Sequence, residues 1–208
     1  MKNTKCKICR RLGTKLFLKG EKCFTPKCPI VKKPYPPGIK GKKRRRGLSE
    51  YGKELKEKQK LKSWYGLEER QFRNYVKEVL QKRGKEDAES ALMGKLESRL
   101  DNVVFRLGFA NSRFQARQLV SHGHFQVNSR KTNYPSYQVK KGDLIKISPS
   151  SLKKNIFQNL KIKLKKYTPP NWLELDKEKF KGKVLGAPTL EETAPPAEVS
   201  AILEFYSR

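Results

Sequence analysis

Residues 92–108 read Leu92-Met93-Gly94-Lys95-Leu96-Glu97-Ser98-Arg99-Leu100-Asp101-Asn102-Val103-Val104-Phe105-Arg106-Leu107-Gly108. Leu92, Leu96, Leu100, Val103, Val104 and Leu107 fall on one stripe of a single helix, and Gly108 offers the left-handed residue that ends one. Just downstream, Ser112 and Gln115 stand in the S-x-x-Q order of a capping box. They open a short helix whose Ala116, Leu119 and Val120 pack inward and which Gly123 ends. On this helix Arg113 and Arg117, four residues apart, are expected to share the opposite face and meet phosphate, with Gln118 and Ser121 at its border. His122 and His124 flank Gly123; neither has a nucleophile beside it, and contact with RNA or with a helix-end carbonyl is the expected role.

After Phe125 the apolar period changes towards two. Phe125 and Val127 precede the turn Asn128-Ser129, and Val139 precedes the turn Gly142-Asp143, followed by Leu144, Ile145 and Ile147. This predicts a small antiparallel sheet. Because serine at positive φ costs more than glycine, the Asn128-Ser129 loop is expected to adopt another turn type. Upstream, Ser49 is a helix N-cap with Glu50 in the first turn, for a helix to about Lys62. Phe72, Tyr75, Val76, Val79 and Leu80 mark a second helix, stopped by Lys82, Arg83 and Gly84. The last third is read as a basic helix from Ser151 to Lys166, a Pro169-Pro170 break, a short strand near Trp172-Leu173, and a final strand from Ile202 to Tyr206. The fold class is α+β.

Charge narrows the partners. The 208 residues hold 49 Lys plus Arg against 20 Asp plus Glu, a formal net charge of +29, and only 36% are hydrophobic. Such a chain repels itself, and polyphosphate relieves that repulsion while releasing condensed counterions. Residues 1–47 hold 17 Lys/Arg and one acid. The run from Lys32 to Gly47, with Pro34, Pro36, Pro37 and Arg44, Arg45 and Arg46, cannot build a core. It reads as a segment laid on RNA or as a solvated linker. No stretch approaches the roughly 20 apolar residues that span a bilayer, and neither a membrane nor a small-molecule substrate is expected.

Cys6, Cys9, Cys23 and Cys28 form C-x2-C, thirteen residues, then C-x4-C. Two short loops can thereby bring four thiolates around one tetrahedral ion, leaving no open position for catalysis. Zn2+ and an iron–sulfur cluster both suit four thiolates; two disulfides or unliganded thiols are the competing states. Tyr35, Tyr51, Trp64 and Tyr65, interleaved with basic residues, are assigned to packing rather than to base stacking.

The segment Ser98 to Val104, with Ser112-Arg113, Ala116-Arg117-Gln118-Leu119-Val120 and His122-Gly123-His124, resembles the RNA-binding module named after small-subunit ribosomal protein S-four. Beyond it, Glu57-Lys58-Gln59-Lys60, Tyr65-Gly66, Glu69 to Asn74, Pro135-Ser136-Tyr137, the closing Glu204-Phe205-Tyr206-Ser207-Arg208 and the four cysteines resemble the metal-binding, bacterial-type members of that ribosomal family. The resemblance implies a non-catalytic primary binder of small-subunit rRNA at a multi-helix junction of the 5′ domain, which nucleates assembly in the cytoplasmic or organellar small subunit. It implies RNA contacts by Arg99, Arg113, Arg117, Gln118 and His122. Lys58, Lys60, Arg70, Arg73 and His124 lie in the matching segments and are counted with them. It also implies protein S-five as neighbour, an effect on decoding accuracy, and Arg44, Arg45 and Arg46 near the mRNA entry channel.

The expected organisation is a cysteine-rich metal knuckle and basic segment over 1–47, a helical domain from 48–97 plus 161–208, and an inserted RNA module over 98–160. An RNA-modifying enzyme would need a separate catalytic core, for which no residues stand out. A zinc-dependent DNA-binding regulator would need a helix aimed at base edges.

Overall fold

A computed structural model describes residues 4–39, 41, 47–81 and 87–207. The chain divides into two compact units, Met1–Leu92 with Ala194–Arg208, and Met93–Thr193. In chain order the helices are α1 (Thr4–Leu12), α2 (Pro29–Lys32), α3 (Glu50–Tyr65), α4 (Glu69–Gln81), α5 (Ala88–Glu97), α6 (Leu100–Arg106), α7 (Arg113–Ser121), α8 (Pro149–Leu152), α9 (Leu160–Lys165), α10 (Leu190–Thr193) and α11 (Val199–Ser207). The strands are β1 (Phe125–Val127), β2 (Arg130–Thr132), β3 (Leu144–Ile147), β4 (Leu173–Asp176) and β5 (Lys181–Val184).

In the first unit, the Ser49 hydroxyl accepts from Gly52 N at 3.2 Å to cap α3, and Gly66 ends it at φ 66°. Phe72, Val76 and Val79 form the buried stripe of α4. The last residues are a helix and not the expected strand. Val199 and Ile202 bury one face of α11, which packs on α3 and α4. One turn further on, the Tyr206 hydroxyl donates to Glu69 at 2.8 Å. Ile202 and Tyr206, four residues apart, lie on adjoining turns of the same helical face.

The second unit breaks the expected continuous helix. The apolar stripe continues through Ser98-Arg99, but the backbone does not: Arg99 is extended, φ −67° and ψ 137°, and bridges Gln138. Leu100 N donates to Tyr137 O at 2.8 Å, Asp101 N to Pro135 O at 3.2 Å, and Val139 N to Ser98 O at 2.8 Å. The Tyr137 and Pro135 carbonyls take two amides that a continuous helix would have bonded internally, so α5 stops at Glu97 and α6 starts afresh.

The antiparallel sheet has the order β2-β1-β3-β5-β4. Phe125 faces Thr132 and Ile147, and Ile145 faces Gly182. Gly182 leaves room there for the buried Leu107 that follows α6, whose Cδ1 would lie 2.4 Å from a Cβ at position 182. Since β4 and β5 belong to this sheet, the unit runs to Thr193. The boundary expected at residue 160 is therefore too early, and 161–193 do not join the helical domain. The basic stretch after Ser148 forms α8, a 3-10 turn at Asn155–Phe157 and α9 instead of one helix. Around the sheet, Leu100, Val104, Leu107, Ala116, Val120, Phe125, Ile145, Leu164 and Trp172 make one core.

The turn joining β1 and β2 also departs from expectation. Asn128 and Ser129 both have positive φ, 48° and 67°, the signature of a type I′ loop. Asn128 is held at both ends of its side chain: Nδ2 donates to Asp143 Oδ1 at 2.8 Å, and Oδ1 accepts from Leu144 N at 2.9 Å. Ser129 Oγ accepts from Lys146 Nζ at 3.2 Å.

Candidate RNA interface

The helix expected to carry the RNA contacts is capped as anticipated, Ser112 Oγ accepting from Gln115 N at 3.2 Å. Its two arginines, four residues apart, differ in burial. Arg113 is buried: its Nε donates to Asn102 Oδ1 at 2.7 Å, its guanidinium lies 4.7 Å from the Phe105 ring centroid, and it approaches Glu97 at 3.5 Å. The fully buried Glu97 carboxylate also accepts from Arg106 at 2.9 and 3.0 Å and from Asn102 Nδ2 at 2.7 Å. Arg99, with no exposed surface, grips Asp101 at 2.7 and 3.1 Å. Arg99 and Arg113 thus brace the module from inside, correcting their expected RNA role. A buried carboxylate needs cationic partners more than the surface needs two more charges.

Further expected contacts turn inward. His124 is buried, hydrogen-bonded through Nδ1 to Ser151 Oγ at 2.9 Å and edge-on to Phe157 at 5.7 Å. Burial first, then the charges of Lys154, His122 and Lys131, lowers its pKa, favouring a neutral ring. In the first unit Lys58 is buried, pairs with Glu69 at 2.6 Å and lies 4.8 Å from the Phe205 ring centroid. Lys60 pairs with Glu57 at 2.5 Å. Burial opposes ionisation of Glu69, but hydrogen bonds from Lys58, Lys62 and Tyr206 hold its carboxyl down to about 2.

What remains at the surface is a narrower set. Gln118 and His122 are exposed and Arg117 is half-buried. One turn beyond Arg117, Ser121, His122 and Gly123 line an open, polar cavity of about 300 Å³ with Lys131 and Asn133. The Lys131 stem folds over Gly123, where a Cβ would meet Lys131 Cε at 2.7 Å. Lys131 and Asn133 were not among the expected contacts. Their signal is the hairpin register: once Asn128-Ser129 is a two-residue loop, Lys131 pairs with Gln126, off the Phe125 core face. Arg70 and Arg73 are exposed on α4, and Arg73 and Lys77 line a cavity with Phe205 and Tyr206. Arg44, Arg45 and Arg46 lie outside the described residues.

Tyr35, Tyr51, Trp64 and Tyr65 each meet another side chain. Tyr65 is buried with Trp64 edge-on to it at 5.0 Å, Tyr51 sits 5.4 Å from Phe205, and Arg10 lies 5.1 Å from the Tyr35 ring centroid.

All four cysteines are free thiols, and together with Lys5, Lys15, Leu18, Lys19 and Ile30 they line one small cavity. Burial pushes the Cys9 and Cys23 thiols up, while backbone hydrogen bonds from Leu16 and Lys19 act the other way. Among the described residues, no three His, Cys, Asp or Glu side chains are arranged as they stand to hold a metal ion. The donor set nevertheless fits a tetrahedral thiophilic ion, with four sulfurs around one space and no competing oxygen ligand lining it.

Residues 1–97 match the family described as "Ribosomal protein S4/S9 N-terminal domain", and residues 98–145 match the "S4 domain". The chain belongs to the uS4 ribosomal protein family. It is 51% identical over 205 residues to "Small ribosomal subunit protein uS4" of Thermus thermophilus, covering 98% of this chain and 96% of that one. It is 50% identical over 203 residues to the protein of the same name from Caldicellulosiruptor bescii, with the same coverage. With the one from Syntrophus aciditrophicus it shares 47% over 207 residues, 100% of this chain and 98% of that one. The family is structural rather than enzymatic. Among the described residues no helix is long and apolar enough to cross a membrane.

Proposed function

We propose that this chain is a structural component of the cytoplasmic small ribosomal subunit that binds small-subunit rRNA. One observation carries the reading beyond family membership: Ser121, His122 and Gly123 at the end of α7 line an open polar cavity of about 300 Å³ with Lys131 and Asn133, and exposed Gln118 and half-buried Arg117 lie on the turn before it. The brace of Glu97, Asn102 and Arg113 holds this helix rigidly beneath the contacts. Cations and neutral donors fixed on a stiff scaffold suit phosphate contacts across folded RNA, where shape supplies most of the specificity.

In finer detail, the protein organises a multi-helix junction of the rRNA 5′ domain and nucleates assembly there. It neighbours protein S-five and influences decoding accuracy, and Arg44, Arg45 and Arg46 border the mRNA entry path. The family resemblance and the strongly basic composition of residues 1–47 support these assignments. Exposed Arg70 and Arg73 add a second phosphate-facing surface on α4. Cys6, Cys9, Cys23 and Cys28 would hold Zn2+, which ties together a segment with little core of its own.

The test is affinity for a transcript of the rRNA 5′ domain, compared at moderate salt with equally long unrelated RNA and duplex DNA. Strong preference for the rRNA is expected. Equal binding to all three would leave a charge-driven binder and remove the ribosomal assignment.

A further inference from the structure

The cysteine-rich segment carries a pair of exposed rings that neither the core nor the sulfur cluster uses. Leu16 and Leu18 are buried, and Phe17 between them is thrown outward. Its backbone sits at φ 52°, a conformation rare for a bulky side chain, and Gly20 N donates to Phe17 O at 3.2 Å across the loop. The Phe17 ring stacks on Phe24 with centroids 4.8 Å apart and planes inclined by 29°. Phe24 follows the buried Cys23 and is itself 73% exposed. Lys15 Nζ lies 5.3 Å from the Phe17 ring centroid, and Lys22 and Lys27 on either side of Phe24 are exposed.

A strained backbone that presents an aromatic ring to water, rather than hiding it, is a feature of binding surfaces. The surroundings choose the occupant. An apolar protein partner would want an apolar rim, whereas these rings are flanked by lysines. A planar, electron-rich group that carries its own negative charge satisfies both features. We propose that Phe17 and Phe24 form a stacking platform for an unpaired nucleobase, with Lys15, Lys22 and Lys27 holding its flanking phosphates. The platform rests on the RNA-binding reading and adds to it a site that reads single-stranded or bulged RNA, separate from the α7 surface.

The test measures binding of full-length wild type, Phe24→Ala, Phe24→Leu and Phe24→Trp to the 5′-domain transcript and to oligouridylate. Alanine and leucine should weaken both by roughly five- to a hundredfold, while tryptophan retains or strengthens binding. The salt slope should stay that of wild type, since no charge is removed. A second measurement needs no variant: 4-thiouridine placed in the transcript should cross-link to the peptide containing Phe24. Wild-type affinity in Phe24→Ala, or cross-links that never map to this peptide, would overturn the platform while leaving rRNA binding intact. If the wild type shows no preference for the rRNA, the RNA-binding reading falls and the platform with it.

Discussion

Arg113 Nε donates to Asn102 Oδ1 at 2.7 Å, joining the first residue of α7 to the start of α6, and both side chains also reach the carboxylate of Glu97. Arg113 and Arg117 are therefore expected to behave oppositely. Arg113→Ala should destabilise the Met93–Thr193 unit by about 2–4 kcal/mol, because it removes a partner from a buried carboxylate. Arg117→Ala should lower the urea midpoint much less than Arg113→Ala does and flatten the salt dependence of rRNA binding by roughly one counterion. Equal unfolding midpoints for the two variants would remove the brace from the account.

The β1–β2 turn offers a gain in stability. Ser129→Gly should raise stability by about 0.5–1 kcal/mol, because glycine takes positive φ without a Cβ penalty. Asn128→Ala should lower it by about 1–2 kcal/mol, through the unpaired Leu144 amide and a lost αL preference. Thermal melting of the two variants checks both signs.

Acid should act through Glu69. Its folded pKa, about 2, lies below the ordinary 4.5, so the ionised carboxylate contributes stability above 4.5 that is lost as pH falls towards 2. Glu69→Gln should thus melt below wild type at neutral pH, and the gap should close as the solution approaches pH ~2. A gap that stays constant across this range would show that Glu69 acts through packing and not charge.

Metal removal should be felt in the first unit. The purified protein is expected to carry about one zinc per chain, lost in Cys9→Ser and Cys23→Ser and on chelation, with lower thermal stability. Visible absorption from an iron–sulfur cluster, or zinc content unchanged by both substitutions, would contradict the assignment.

How much of this was legible in the sequence follows from how local each signal is. Phe72, Val76 and Val79 announce α4 because helical period and burial are both local. The inward turn of Arg99, Arg113 and Lys58 was not legible, since it depends on which carboxylates the fold brings beneath them. Lys58 finds its partner at Glu69, across the α3–α4 turn. An amphipathic pattern counts a basic residue as surface until a buried acid claims it. The helix break at Arg99 was hidden for a similar reason, because the competing acceptors, Tyr137 O and Pro135 O, lie more than thirty residues downstream. The five residues from Ile202 to Tyr206 are too few for period alone to separate helix from strand. The cysteine spacing is a local signal too, and the four side chains line one cavity.

The position of α11 bears on the order in which the chain can fold as it is made. Synthesis proceeds from the amino terminus, and domains usually close in that order. Here α3 and α4 emerge before the Met93–Thr193 unit, but the helix that covers them follows it. The Met93–Thr193 unit, encoded entirely between the two parts of its neighbour, has all of its strands before α11 exists. The sheet can close first, and the unit built on α3 and α4 is completed only after it, leaving the Phe72 ring without its Tyr206 neighbour on the nascent protein until α11 is made.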